Sequence, residues 1–397
     1  MTNFIYNTPT KVVFGRDTVD QTGELVKACG GTKALVHFGG SSALKSGLID
    51  RVCASLEKAG VAFVKLGGVQ PNPHLGLVRE GLELCKKEGV DFLLAVGGGS
   101  VIDSAKGIGY GLASGGDPWD FHTGKRVVTG MAPLGCVLTI AAAGSEMSNS
   151  NVITNEVTRE KRGHNSEHGR PRFAVMDPAL TLTVSPYQTA AGCADILMHT
   201  LERYFTGENA TMELTDSIAE ALMRTVIANA HTLARDPANY DARAEVMWAS
   251  SLSHNGLTGC GGGAGDWACH QLGHELSGKY DLAHGASLTT VWGSWARYVY
   301  KENPARFARL AVNVLELEDT GDDLKTAEAG IEEMEEFFWA IEMPTNFKEA
   351  GITASEAEIH EMVVGCSRGG ARTVGGFKVL AELDMEAVYK MAAAAGK

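Results

Sequence analysis

The residues best suited to chemistry crowd into "ACHQLGHELSGKYDLAHG" at 268–285, which puts His270, His274 and His284 within fifteen positions of a chain that has only 12 histidines. A second candidate lies far upstream in "TAAGCADILMHTLERYF", where Asp195 and His199 stand four apart and so share one face of an otherwise apolar helix. A carboxylate on such a helix is costly unless it is paired or holds a cation. Asp195, His199, His270 and His284 together would offer one carboxylate and three imidazoles, a donor set that suits Zn(II) or Fe(II) better than Mg(II) or Ca(II). Two other readings stay open on spacing alone. Asp195 can hydrogen-bond His199 within the helix, and Asp266, four before His270, can form a set with His270 and His274. The H-x3-H pair is not a zincin helix, because Gln271 stands where the glutamate base would be.

A phosphate cradle is the second chemical feature. "DFLLAVGGGSVIDSAKGIGYGLA" reads as a buried strand, a turn at Gly97, Gly98 and Gly99, and a helix opening at Ser100. Such a helix start offers unpaired N–H groups and the positive end of the helix dipole, and glycines let a pyrophosphate approach closely. It is not the G-x-G-x-x-G fingerprint, since Ile102 occupies the last glycine position, nor a Walker loop. Asp103 is open to two readings, a cofactor contact or a helix acid favoured by the dipole. A second glycine turn, "VHFGGSSALKSG", ends its strand in Gly39, Gly40, Ser41 and Ser42, with Lys45 close behind and no carboxylate for ribose hydroxyls. That pattern predicts NADP(H) rather than NAD(H).

The elements that must hold these residues differ between the two halves of the chain. Residues 1–185 alternate short β-rich runs with helical segments, the pattern of an α/β, Rossmann-like nucleotide-binding domain with a parallel sheet. Strands are expected at "TKALVHFGG", "VAFVKLGGV", "DFLLAVG", "GCVLTI", "SNVITN" and "RPRFAVMDP", with helices over 43–59 and along "LGLVREGLELCKKEG". Residues 186–397 read as successive amphipathic helices such as "TDSIAEALMRTVIANAHTLARD" and "AEAGIEEMEEFFWAIEM", an all-helical metal- and substrate-binding domain. The functional site is expected in the cleft between the two.

Composition excludes several partner classes. The 397 residues are 44% hydrophobic, enough for two cores, and the net charge of -13 opposes binding to nucleic acid or an anionic membrane. No stretch is long and apolar enough to span a bilayer, and "MTNFIYNTPTKVVFG" does not read as a secretory leader. Eight scattered cysteines without a C-x2-C pair fit reduced thiols in the cytoplasm.

In joint order, "PNP" at 71–73, "AVGGGSVIDSAKGI", "AAAGSEM" at 141–147, "FAVMDPALTLTVSP", "DILMHTLERY" and "DWACHQLGHELSGKYDLAHG" resemble the group III, iron-activated alcohol dehydrogenases. The likeness runs from "FIYNTPTKVVFG" to about residue 300 and is greatest to the NADPH-dependent butanol dehydrogenase and aldehyde reductase branch. It implies a dehydroquinate synthase-like fold and hydride transfer between NADP(H) and a short-chain aldehyde or primary alcohol, such as butanal and butanol. It implies Asp195, His199, His270 and His284 as ligands of one Fe(II) or Zn(II), and His274 as a non-ligand residue lining the substrate site. Gly97, Gly98, Gly99, Ser100 and Asp103 would bind the cofactor's pyrophosphate and neighbouring groups. Asn72, Thr139, Ser145 and Lys161 would complete the cofactor contacts, and the enzyme would be a homodimer. The same architecture hosts NAD-linked polyol dehydrogenases of the glycerol-dehydrogenase type and dehydroquinate-synthase-like lyases. The lyase reading needs a cation-rich pocket, and the histidine stretch offers only Lys279.

Overall fold

The computed structural model describes residues 1–207 and 211–395, except for the side chains of Ser41 and Ser42. The chain divides into two compact units, Asn7–Thr183 and Val184–Lys397 together with Met1–Tyr6. The first six residues, expected with the sheet, belong to the helical unit: the Thr2 N–H and hydroxyl both donate to Gly261 O at 2.9 Å.

The first unit runs β1 (Lys11–Phe14), α1 (Thr22–Ala28), β2 (Lys33–Phe38), α2 (Ser41–Lys45), α3 (Leu48–Ala59), β3 (Ala62–Leu66), α4 (Leu75–Glu88), β4 (Phe92–Gly97) and α5 (Gly99–Ser114). It continues with α6 (Pro118–His122), β5 (Leu134–Leu138), β6 (Ser150–Asn155), β7 (Glu160–Asn165) and β8 (Phe173–Met176). Six strands form a parallel sheet in the order β1-β8-β5-β4-β2-β3. Every residue of β4, β5 and β8 is buried, as a parallel sheet covered on both faces requires. One side of that core joins Val36, Val52, Leu56, Leu94, Val96, Val137 and Val175.

Two local expectations fail for identifiable reasons. The helix expected over 43–59 is interrupted at Ser46 and Gly47, giving α2 and α3. "SNVITN" does form a strand, but it pairs antiparallel with β7 in a separate two-stranded sheet. Its alternating burial shows one covered face, where the central parallel strands have two.

The second unit contains α7 (Pro186–Tyr204), α8 (Glu213–Arg235), α9 (Tyr240–His254), α10 (Ala268–Tyr280), α11 (His284–Val299), α12 (Pro304–Asn313), α13 (Asp323–Ala340), α14 (Glu356–Ser367) and α15 (Glu382–Ala394). Ser185 caps α7 by accepting from Gln188 N–H, with Pro186 in the first turn. Residues 191–202 of α7 and 285–296 of α11 are buried throughout, marking these as the central helices of the unit.

Candidate metal centre and nucleotide-binding turns

Asp195 and His199 lie in the fully buried part of α7, 2% and 4% exposed. His270 comes from the first turn of α10 and His284 is the first residue of α11. Around Asp195 Oδ1 stand His199 Nδ1 at 3.4 Å, His284 Nε2 at 3.6 Å and His270 Nε2 at 3.7 Å. Ligands bound at 2.0–2.1 Å on a tetrahedron sit about 3.4 Å from one another. Asp195 Oδ1, His199 Nδ1 and His270 Nε2 have no hydrogen-bond partner although all are buried. A polar group buried in that condition is normally satisfied by something, and three of them within 4.8 Å fit a divalent cation. The in-helix alternative, a hydrogen bond from His199 to Asp195, is not formed.

Electrostatics agree with the donor set. Burial holds His199 well below the usual histidine range, helped by repulsion from His254, His270, Arg203 and His284, so its ring is neutral and ligand-competent. Burial also opposes charge on His270, but Glu202 and Asp195 outweigh it and lift that ring to about 9. The two carboxylates therefore draw positive charge to this spot. Asp266 is not available to a second set with His270 and His274. Its Oδ1 accepts from Ala268 N–H, and its Oδ2 accepts from Gly376 and Phe377 N–H at 2.9 Å. His274 stacks on His284 with ring centroids 5.4 Å apart and meets His270 edge-on at 6.2 Å. The His284 side chain, on which His274 stacks, is 27% exposed against 3–7% for the other three donors.

In the first unit the sheet order reverses between β2 and β4: the chain builds β3 outward on one side of β2 and then places β4 on the other. The carboxyl ends of strands flanking such a switch point are where open α/β sheets bind ligands. Gly39 and Gly40 follow β2, and Gly97 to Gly99 end β4 and open α5 with Ser100 in its first turn. Thr139, just past β5, donates its N–H to Gly97 O at 3.1 Å, so three adjacent strand ends carry expected cofactor residues. Lys45 is exposed at the end of α2; the side chains of Ser41 and Ser42 lie outside the described residues. Asn72, with φ +56, accepts from Lys161 Nζ at 2.9 Å, which joins two more of the expected residues. Asp103 lies in the second turn of α5, not the first. Its Oδ1 accepts from the Ser145 hydroxyl at 2.6 Å and its Oδ2 from Val152 N–H at 2.9 Å.

Comparison with known proteins decides the family. "Iron-containing alcohol dehydrogenase" matches residues 9–178, and "Fe-containing alcohol dehydrogenase family, C-terminal" matches residues 189–393. The chain belongs to the iron-containing alcohol dehydrogenase family. The chain is 38% identical to NADH-dependent butanol dehydrogenase A of Clostridium acetobutylicum over 98% of this chain and 99% of that protein. It is 35% identical to the NADPH-dependent aldehyde reductase YqhD of Escherichia coli over 89% and 91% of the two chains. The crystal structure of NADH-dependent butanol dehydrogenase A from Thermotoga maritima superimposes with a TM-score of 0.94, at 39% identity and 99% coverage of each chain. The protein is thus an alcohol dehydrogenase, an NAD(P)-dependent oxidoreductase.

Two residues of this alcohol dehydrogenase escaped the sequence reading. Glu202 is 1% exposed and holds His270 through both its ring Nδ1 and its main-chain N–H, the latter at 3.0 Å. Its signal was present: it lies seven after Asp195 and three after His199, on the same helix face. Lys106 is 0% exposed and spends its ammonium on Ser145 O (2.8 Å), Ser145 Oγ (2.9 Å), Ser148 O (3.1 Å) and Ser150 O (2.7 Å). Nothing local marks it, since a lysine at the eighth position of a helix ordinarily faces water. With Asp103 it ties the 145–150 segment to the helix that the glycine turn opens.

Proposed function

We propose that this dehydrogenase interconverts short-chain aldehydes and primary alcohols of the butanal and butanol class, using NADP(H) and one divalent metal, Fe(II) or Zn(II). The observation that carries the reading is the convergence of His199, His270 and His284 nitrogens on Asp195 Oδ1, with three of the four donor atoms unsatisfied. These four residues would hold the metal. When bound, it supplies Lewis acidity that stabilises negative charge on the carbonyl oxygen as hydride arrives.

The chain's own residues do the rest. Asp195 and the three imidazoles fix one face of the reacting centre, and Glu202 keeps His270 turned toward it. His274, stacked on His284, moves the proton between a ring nitrogen and the alcohol oxygen. In the nucleotide unit, Gly97, Gly98, Gly99 and Ser100 present the α5 N-terminus to the pyrophosphate. Asp103 braces Ser145, and Thr139, Ser145, Asn72 and Lys161 position the nicotinamide half. The sequence Gly39, Gly40, Ser41, Ser42 with Lys45 close behind, small, polar and cationic, would admit a 2′-phosphate. The relatives' names include both NADH and NADPH, so the missing carboxylate after β2 supports NADP(H) more directly than they do.

The reading includes a homodimer in the cytoplasm. All eight cysteines are free thiols, which suits a reducing compartment, and among the described residues no helix is long and apolar enough to cross a membrane. The lyase alternative is disfavoured by relatives named as dehydrogenases and reductases.

Chelation followed by assay with butanal tests the reading. Turnover should vanish with the metal and return with Zn(II) or Fe(II), and kcat/KM should be higher with NADPH than with NADH. Full activity in protein shown to be free of metal would sink the mechanism; preference for NADH would sink only the cofactor assignment.

A further inference from the structure

Glu202 carries a buried charge that touches neither a nucleotide turn nor the four donor atoms. It turns both carboxylate oxygens on His270: Oε1 accepts the main-chain N–H at 3.0 Å, and Oε2 accepts from ring Nδ1. Its main-chain carbonyl also accepts Asp266 N–H at 2.6 Å. One residue of α7 thereby anchors the start of α10 and sets the His270 ring so that Nε2 faces Asp195 Oδ1 across 3.7 Å. Counting donors and acceptors fixes the chemistry. Two N–H groups meet two carboxylate oxygens, so the hydrogen of a neutral His270 ring resides on Nδ1 and Nε2 keeps its lone pair, the form in which imidazole binds a cation.

We propose that Glu202 is a positioning residue of the metal centre: it selects the His270 tautomer and ring orientation that make Nε2 a ligand, and its charge across the His270 ring from Asp195 helps retain a divalent ion. The proposal deepens the functional reading above and rests on His270 being a ligand. Glutamine at this position breaks the match, because it has one acceptor for two donors. Either the His270 main-chain N–H loses its partner, or the amide NH2 faces Nδ1 and the ring hydrogen moves to Nε2. Aspartate keeps both acceptors on a shorter stem.

The test uses full-length wild-type, Glu202→Gln and Glu202→Asp proteins, stripped of metal and titrated with Zn(II) against a chromophoric chelator. Circular dichroism and nicotinamide-nucleotide binding are measured on the metal-free forms. The Zn(II) Kd should rise about 10- to 100-fold in Glu202→Gln. Glu202→Asp should recover part of the loss, with circular dichroism and nucleotide affinity unchanged throughout. A Kd in Glu202→Gln within about twofold of wild type, well under the usual loss on removing such a partner, overturns the proposal. So does equal loss in both variants accompanied by lost nucleotide binding, which makes Glu202 a fold anchor only. If Glu202→Gln does not fold, Glu202→Asp decides: a raised Kd supports the proposal and an unchanged one overturns it. Wild-type protein that takes up no Zn(II) rejects the functional reading as well, whereas a wild type that binds normally confines any failure to Glu202.

Discussion

At the scale of single residues, the four expected donors stood out because polar groups on an apolar helix are expensive and histidines are dense at 270–284. An aspartate and a histidine on an apolar helix face demand partners, and the density of histidines at 270–284 supplied them. The role of His274 was less legible, since spacing alone allowed it as a ligand together with Asp266 and His270. His284 Nε2 lies 3.6 Å from Asp195 Oδ1, while the His274 ring stacks on that of His284, which favours His284 as the donor. His274→Ala should therefore leave metal content at the wild-type level and lower kcat by about 10²- to 10⁴-fold, the usual contribution of a proton-transferring side chain. Elemental analysis and steady-state rates on one sample check both halves of that expectation. A variant that loses its metal would show His274 to be a ligand after all. Glu202 was missed although its helical spacing was visible, because a glutamate in "HTLERYF" also reads as an ordinary surface charge beside Arg203.

At the scale of elements, the centre depends on how closely α7 and α11 approach. A Cβ on Gly285 would stand 1.9 Å from Ala191 O, a backbone atom of α7 that cannot swing aside. The glycine after His284 thus lets α11 begin against α7 and carries the His284 ring to Asp195. Gly285→Ala should push the two helices apart, costing about 1–3 kcal/mol of stability and weakening metal binding together. Urea unfolding of the metal-free protein and Zn(II) titration measure the two effects. Unchanged values for both would show the approach to be looser than described. The strands and helices themselves followed from periodicity, with exceptions that periodicity could not resolve. A strand's pattern does not name its partner, which is why β6 was expected in the parallel sheet and is found paired with β7.

At the scale of the whole molecule, the nucleotide unit carries buried histidines that link its stability to pH. His37, 0% exposed, donates Nδ1–H to Leu66 O and accepts from the Ser104 hydroxyl at Nε2. Burial lowers it from 6.5 to about 4, the Leu66 carbonyl opposing. Above pH 6.5 both folded and unfolded chains hold a neutral ring. As pH falls below 6.5 the unfolded chain takes up the proton first, so stability is lost progressively down to about pH 4. A shift of that size corresponds to roughly 3 kcal/mol at 1.36 kcal/mol per unit. His37→Gln should flatten the stability profile between these limits by an amount of that order, read as the difference between wild-type and variant urea midpoints at each pH. Parallel profiles would show that His37 does not titrate with unfolding.

The sequence alone determined the two-part grammar, the glycine turns and the residue types at the candidate metal centre, because these follow from local backbone needs and from the cost of misplaced charge. Tertiary structure alone decided which polar side chains meet, that Asp266 is consumed by backbone N–H groups, that Lys106 holds the 145–150 segment and that Glu202 holds His270. Those choices depend on contacts between segments dozens of residues apart, and such contacts leave no local periodicity to read.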